Sequence, residues 1–267
     1  MASIALALAV AGTLSLGSQA GGRGTASATP SPVVSVVGVG DDEAGYKGGL
    51  FDRRRRAAAA RVPAVQRSAG YTFTSTLDGQ SVRWDPCTPI RWTANTGAGP
   101  AGGLTALQAA VRDIAAASGT TWVYVGPSGA TPRRSYLPTR AQAQYPPVLI
   151  GWTDGRASDL LAGQAPQVVG MTRNAWFGMR YSDGSTKAAT RAAVVALDRT
   201  DTLPLRGPGS WEAVTRHELG HAFGLGHVED PAQLMAAVLP RTTGELQAGD
   251  LAGLARLGRR AGCVSVP

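Results

Sequence analysis

All three histidines of this 267-residue chain fall in one short stretch, HELGHAFGLGH at 217–227. On a helix, positions four apart share a face, so His217 and His221 can direct their imidazoles at one ion with Glu218 beside them. Gly224 permits a left-handed turn that ends the helix and swings the chain back, which lets His227 approach from a third direction. Three neutral imidazoles leave one corner of a tetrahedron for water, the arrangement of a catalytic rather than a structural zinc. Zinc lowers the pKa of such a water to roughly 7, and a carboxylate in hydrogen-bond reach can take its proton as it attacks a carbonyl. Glu218 is placed for that role. One histidine on a helix is more often packed or solvated than a ligand; the joint spacing is what singles these three out. Met235 follows in EDPAQLM, where Asp230-Pro231 supplies turn chemistry before the chain can pass beneath the metal, although a lone methionine is equally ordinary core.

The elements that must position these residues begin near Tyr71. YTFTST and SVRW flank Asp78-Gly79 and predict a hairpin. PIRWTANT (89–96) reads as a strand, and 102–119 as a helix with Leu104, Leu107, Val111 and Ile114 on one face. TTWVYVG (120–126) follows as a strand, and this strand, helix, strand unit favours parallel neighbours in a mixed sheet. PPVLIGWTD (146–154) is apolar enough for burial on both faces. QVVGMTRNAWF (167–177) and RAAVVALD (191–198) add two more strands, and Ser210 is the expected N-cap of the histidine-bearing helix. A last helix is expected over 242–258, with Leu246, Leu251, Leu254 and Leu257 available to the core.

Residues 1–28 resemble an export signal, with an apolar run from Ile4 to Leu16 followed by small residues. Residues 29–68 read as a disordered linker or propeptide, too poor in apolar surface to offset ordering entropy, although PVVSVVGVG (32–40) could pair locally as a strand. The folded domain is then 69–267. The whole chain carries 26 basic and 18 acidic side chains; without residues 1–68 the excess falls to 18 against 14, or +4. That charge is dispersed, so nucleic-acid binding is not expected. No segment reaches the length of a membrane span, so no permanent anchor is expected.

The order of elements, the zinc motif and Leu234-Met235 together resemble the metzincin metallopeptidases, specifically matrixin-like enzymes of bacterial secreted type, over about residues 70–260. The resemblance implies an α+β fold: a zincin catalytic domain with a five-stranded mixed sheet, two long helices and a C-terminal helix. It further implies an antiparallel edge strand over the cleft, around Val168, Val169, Gly170 and Met171, to which a peptide can add through backbone hydrogen bonds. His217, His221 and His227 would be the ligands of one catalytic Zn2+, Glu218 the general base and then proton donor, and Met235 the turn methionine. The chain departs from the family in having no histidines for a second zinc and no tyrosine after Tyr181. It also has Val228 after the third histidine, and AAVLP (236–240) in place of the P-x-Y wall.

Cys87 and Cys263 bracket most of the domain, and an exported chain meets an oxidising compartment, so a disulfide is expected. In the chain-entropy model such a closure contributes about 5 kcal/mol. Two free thiols, or Cys87 inhibiting the zinc, are the alternatives. Asp154, Asp159 and Asp183 lie where calcium could bind, but no loop pattern indicates it. The function expected is a secreted, monomeric zinc endopeptidase acting on peptide or protein substrates, with cell-wall association a narrower form. The alternatives are a catalytically degenerate zinc-stabilised binding module and a zinc amidase of cell-wall peptides.

Overall fold

The computed structural model describes residues 32–40, 70–181, 184–240 and 242–264, all within the unit Ser31–Pro267. The expected export signal, most of the 29–68 linker and Asp183 lie outside the described residues. Among the described residues no helix is long and apolar enough to cross a membrane.

The chain enters through strand β1 (Pro32–Gly40) and then three short strands, β2 (Thr72–Phe73), β3 (Thr76–Leu77) and β4 (Gln80–Ser81). The Asp78-Gly79 turn closes the β3–β4 hairpin with positive φ at both residues, as a tight hairpin turn requires. The hairpin is shorter than YTFTST/SVRW predicts, because Phe73 and Thr72 leave it to pair with the segment after the histidine helix. β5 (Ile90–Asn95), α1 (Gly103–Ser118) and β6 (Trp122–Pro127) form the expected crossover, with β5 and β6 parallel. Leu107, Val111 and Ile114 of α1 are buried, and Gly119 ends the helix in the left-handed conformation. β7 (Val148–Thr153), β8 (Gly170–Tyr181) and β9 (Thr186–Asp198) follow, then α2 (Trp211–Phe223), β10 (Leu225–Gly226) and α3 (Ala248–Leu257).

The fold is α+β. Five strands, in the order β8-β9-β7-β5-β6, make the expected mixed sheet, parallel except for β8. β1 adds a sixth strand outside β8, antiparallel, pairing Gly40 with Asn174 and running out to Pro32 opposite Tyr181. Segment 32–40 therefore finds its partner far along the chain rather than locally. The start of β8, Gly170–Thr172, lies ahead of this pairing, and among the described residues no strand pairs with it on that side.

Helices α1, α2 and α3 cover one face of the sheet, where Trp92, Ile150, Trp152, Val195 and Leu197 meet Leu107, Ile114, Leu219, Phe223 and Leu254. On the other face Leu149, Val194, Ala196, Met171 and Phe177 are covered by Leu137, Leu160 and Leu161. Burial on both sides explains why every residue of β7 is buried and why its sequence is apolar from Val148 to Trp152. α2 is enclosed along its whole length, including Arg216. A guanidinium cannot be left unpaired there, and Arg216 bonds Asp113 of α1 at 2.5 Å, the Gly244 carbonyl at 2.8 Å and Glu212 at 3.4 Å.

The last helix differs from its expectation. It starts at Ala248 rather than near Thr242, because Gln247 and Asp250 form a reciprocal cap that fixes the first turn. Leu246 thus precedes the helix and Leu251 is exposed, while Leu254 and Leu257 are in the core.

Cys87 and Cys263 are joined in a disulfide, with Cα atoms 5.4 Å apart, so neither is a free thiol or a zinc ligand. Asp85 Oδ1 accepts the main-chain N–H groups of both Cys87 and Val264, tying the two ends together beside the bond. Replacing both cysteines by serine should lower unfolding stability by about 2–5 kcal/mol, read by urea denaturation, because the bridge closes a span of 176 residues. A change under about 0.5 kcal/mol would show that the denatured chain gains nothing from its release.

Candidate metal centre

α2 starts where Ser210 accepts a hydrogen bond from the Ala213 N–H, as the sequence predicts. The helix then carries His217 and His221 on one face, and Gly224, with φ of 120°, terminates it. β10 pairs with β2, Leu225 opposite Phe73, and the Thr72 hydroxyl donates to the His227 carbonyl at 2.7 Å. This pairing is what turns His227 back onto the helix. The three Nε2 atoms lie 3.0 Å (217 to 221), 3.2 Å (217 to 227) and 3.2 Å (221 to 227) apart. Ligands at 2.0–2.1 Å from a tetrahedral zinc stand about 3.3 Å from one another, so the spacing fits that ion.

The hydrogen-bond pattern supports the same reading. His217 Nδ1 faces the Leu234 carbonyl at 2.8 Å and His221 Nδ1 faces the Leu225 carbonyl at 2.7 Å. A carbonyl only accepts, so each Nδ1 carries the proton and each Nε2 is a bare lone pair. Bare lone pairs converging at 3 Å in a buried site repel unless a cation lies between them. Among the described residues the other group of ligand-type side chains, Asp85 with Cys87 and Cys263, is consumed by the disulfide.

Burial lowers the pKa of all three imidazoles: His217 to about 4, with further lowering from His227, and His221 well below the usual value. Neutral imidazole is the form that binds metal. Burial also pushes Glu218 up to about 8, against the pull of the Thr172 hydroxyl. A divalent cation at the triad works the other way, since a nearby positive charge favours the carboxylate.

Met235 lies directly under α2. A Cβ on Gly220 would meet the Met235 sulfur, so glycine at that helix position gives the methionine its present place. The turn carrying Met235 is held by Asp250, whose carboxylate accepts the N–H groups of Leu234 (2.8 Å), Met235 (3.1 Å) and Gln247 (2.8 Å). The Leu234 carbonyl is the partner of His217, so a path runs from Asp250 through the turn to the histidine cluster. Residues 242–258 read only as a source of leucines in the sequence, although an acidic residue in the first turn of an apolar helix is a visible sign of a cap.

β8 packs against α2 from the opposite side. Gly170 abuts the Glu218 carboxylate, Thr172 hydrogen-bonds it, and the Asn174 amide donates to the His221 carbonyl at 2.8 Å. Val168 and Val169 precede the strand rather than lie in it, and with Met171 their side chains are buried in the core. Of the acidic residues considered for calcium, Asp154 pairs with Arg199 and Asp159 accepts the Arg134 N–H.

A family model for matrixin matches residues 180–258, which spans β9, α2, the three histidines, Met235 and α3. That stretch is matrixin-like, and the match implies a zinc metalloprotease. No curated protein matches the chain.

Asp250→Ala should weaken zinc binding by about 10-fold, measured by competition with a chromophoric chelator, because partners of ligand histidines govern metal affinity. Unchanged affinity would mean that the turn holds its shape without the carboxylate. In a Glu218→Gln background, zinc affinity should fall less than about threefold between pH 7.5 and pH 6, since imidazoles with lowered pKa values stay neutral as the pH drops. Three ordinary imidazoles would lose roughly 50-fold over that range, and a loss of that size would show that the triad titrates normally.

Proposed function

We propose that this matrixin-like chain is an exported zinc endopeptidase that cleaves extended peptides with Glu218 as general base. The observation that carries the reading is the convergence of three imidazole nitrogens, two of them left bare by carbonyls at Nδ1, on the helix that carries the buried Glu218 carboxylate. Glu218 Oε1 has no hydrogen-bond partner among the described residues, whereas Oε2 is held by Thr172. His217, His221 and His227 would hold the ion. When bound, zinc supplies Lewis-acid polarisation that brings the pKa of a water down to roughly 7. Glu218 Oε1 accepts a proton from the attacking water and afterwards delivers it to the departing amide nitrogen, so one carboxylate serves both halves of the reaction.

The substrate strand is assigned to the start of β8. Among the described residues no strand pairs with Gly170–Thr172 on the side where β1 covers Asn174–Tyr181, and Gly170 and Thr172 touch Glu218. An open strand edge binds a peptide through its main chain with little dependence on sequence. Val168 and Val169 precede the strand, and their side chains are buried in the core. Export is supported by the disulfide, which forms and persists in oxidising compartments.

Digestion of a mixed peptide library, read by mass spectrometry, tests the assignment. The wild-type chain should generate internal cleavages that a chelator abolishes. Glu218→Ala should keep its zinc and lose about 10²–10⁴-fold in rate. Cleavage at an undiminished rate by the zinc-loaded variant would remove Glu218 from the mechanism.

A further inference from the structure

We propose that Thr172 is a positioning residue for the reaction, holding the Glu218 carboxylate by one oxygen so that the other is presented for proton transfer. This rests on the peptidase reading of the site. Thr172 and Glu218 are both fully buried, and the Thr172 hydroxyl lies 2.7 Å from Glu218 Oε2 and 3.0 Å from the main-chain carbonyl of the same residue. A hydroxyl has a single proton, and the carboxylate oxygen is both the closer and the stronger acceptor.

The geometry makes the two carboxylate oxygens inequivalent. Oε2 is fixed by Thr172, while Oε1 is buried with no partner among the described residues. Oε1 rests against Gly170, where a Cβ would stand 2.7 Å away, so the strand closes around the group without supplying a competing donor. A free carboxylate rotates readily about its last bond, because that torsion is broad and two-fold. One hydrogen bond from a rigid strand removes that freedom. Residues 170, 172 and 174 are alternate positions of β8 and all meet α2, so a single strand face makes room for the base, orients it and ties down the His221 carbonyl. The strand thus sets the geometry of the helix that carries the chemistry.

The experiment compares Thr172→Val, which keeps the shape and removes the donor, with Thr172→Ser, which keeps the donor, in the full zinc-loaded chain. Thr172→Val should lower kcat by about 10–100-fold with KM within about twofold, as expected when a reacting group is misplaced without loss of substrate binding. Thr172→Ser should return to within about threefold of wild type, and both should retain one zinc. Crystals of Thr172→Val should show the Glu218 carboxylate in more than one orientation. Should Thr172→Val fail to fold, Thr172→Ala removes the same donor with less bulk and serves in its place. The proposal is overturned if the donor-free variant keeps wild-type kcat with a single carboxylate orientation, or if the serine variant is as impaired as the valine. A wild-type chain that cleaves no peptide would instead defeat the peptidase reading, and the carboxylate orientation would still decide the role of Thr172.

Discussion

Three imidazole nitrogens are confined within 3.0–3.2 Å of each other around a buried helix, and the surrounding structure keeps them there. Without a cation the arrangement is repulsive, and without neutral imidazoles no cation binds. Burial meets the second condition by disfavouring the protonated rings, and carbonyls from outside the helix fix which nitrogen is left bare. The carbonyls of Leu225 and Leu234 are therefore as much a part of the centre as the rings they face.

These partners come from three separate directions. The β2–β10 pairing holds the return loop that carries His227. Asp250 holds the turn of Leu234 and Met235. The Val228 N–H donates to the Met235 carbonyl at 3.0 Å, which makes the turn and the histidine loop a single unit under the helix. From the opposite side, β8 supplies Thr172 and Asn174 to the base and to the helix end. Support of this kind from several elements pre-organises a constellation of side chains, since each is held by hydrogen bonds from outside its own helix turn.

β8 has two duties. Its inward face is committed to α2, and among the described residues no strand pairs with its start beside Glu218 on the side that β1 covers from Asn174 onward. A strand can do both because side chains project perpendicular to the direction in which its main chain hydrogen-bonds. Across the molecule, the bond between Cys87 and Cys263 joins the segment before the first parallel strand to the one after the last helix. The Asp85 carboxylate accepts hydrogen bonds from both of those ends.

Sequence alone marks the local parts of this protein: the three histidines and Glu218, from spacings of four and six residues; the helix stop at Gly224; and the N-cap at Ser210. The apolar patterns of β5, α1, β6, β7 and β9 are equally legible, since each rests on a period of two or 3.6 residues or on a continuous apolar run. Packing supplies the rest. Thr172 is one threonine among many until β8 is laid across α2, and Gly220 is an unexceptional helix glycine until Met235 arrives beneath it. Asp250 shows only as a polar residue among leucines, and its cap starts α3 later than the leucine spacing suggests, leaving Leu251 exposed. Segment 32–40 carries a strand pattern but nothing that names its partner. The division has one physical cause: periodicity and capping act between residues a few positions apart, whereas the groups that orient the metal ligands and the base meet them across long stretches of chain, where only packing brings them together.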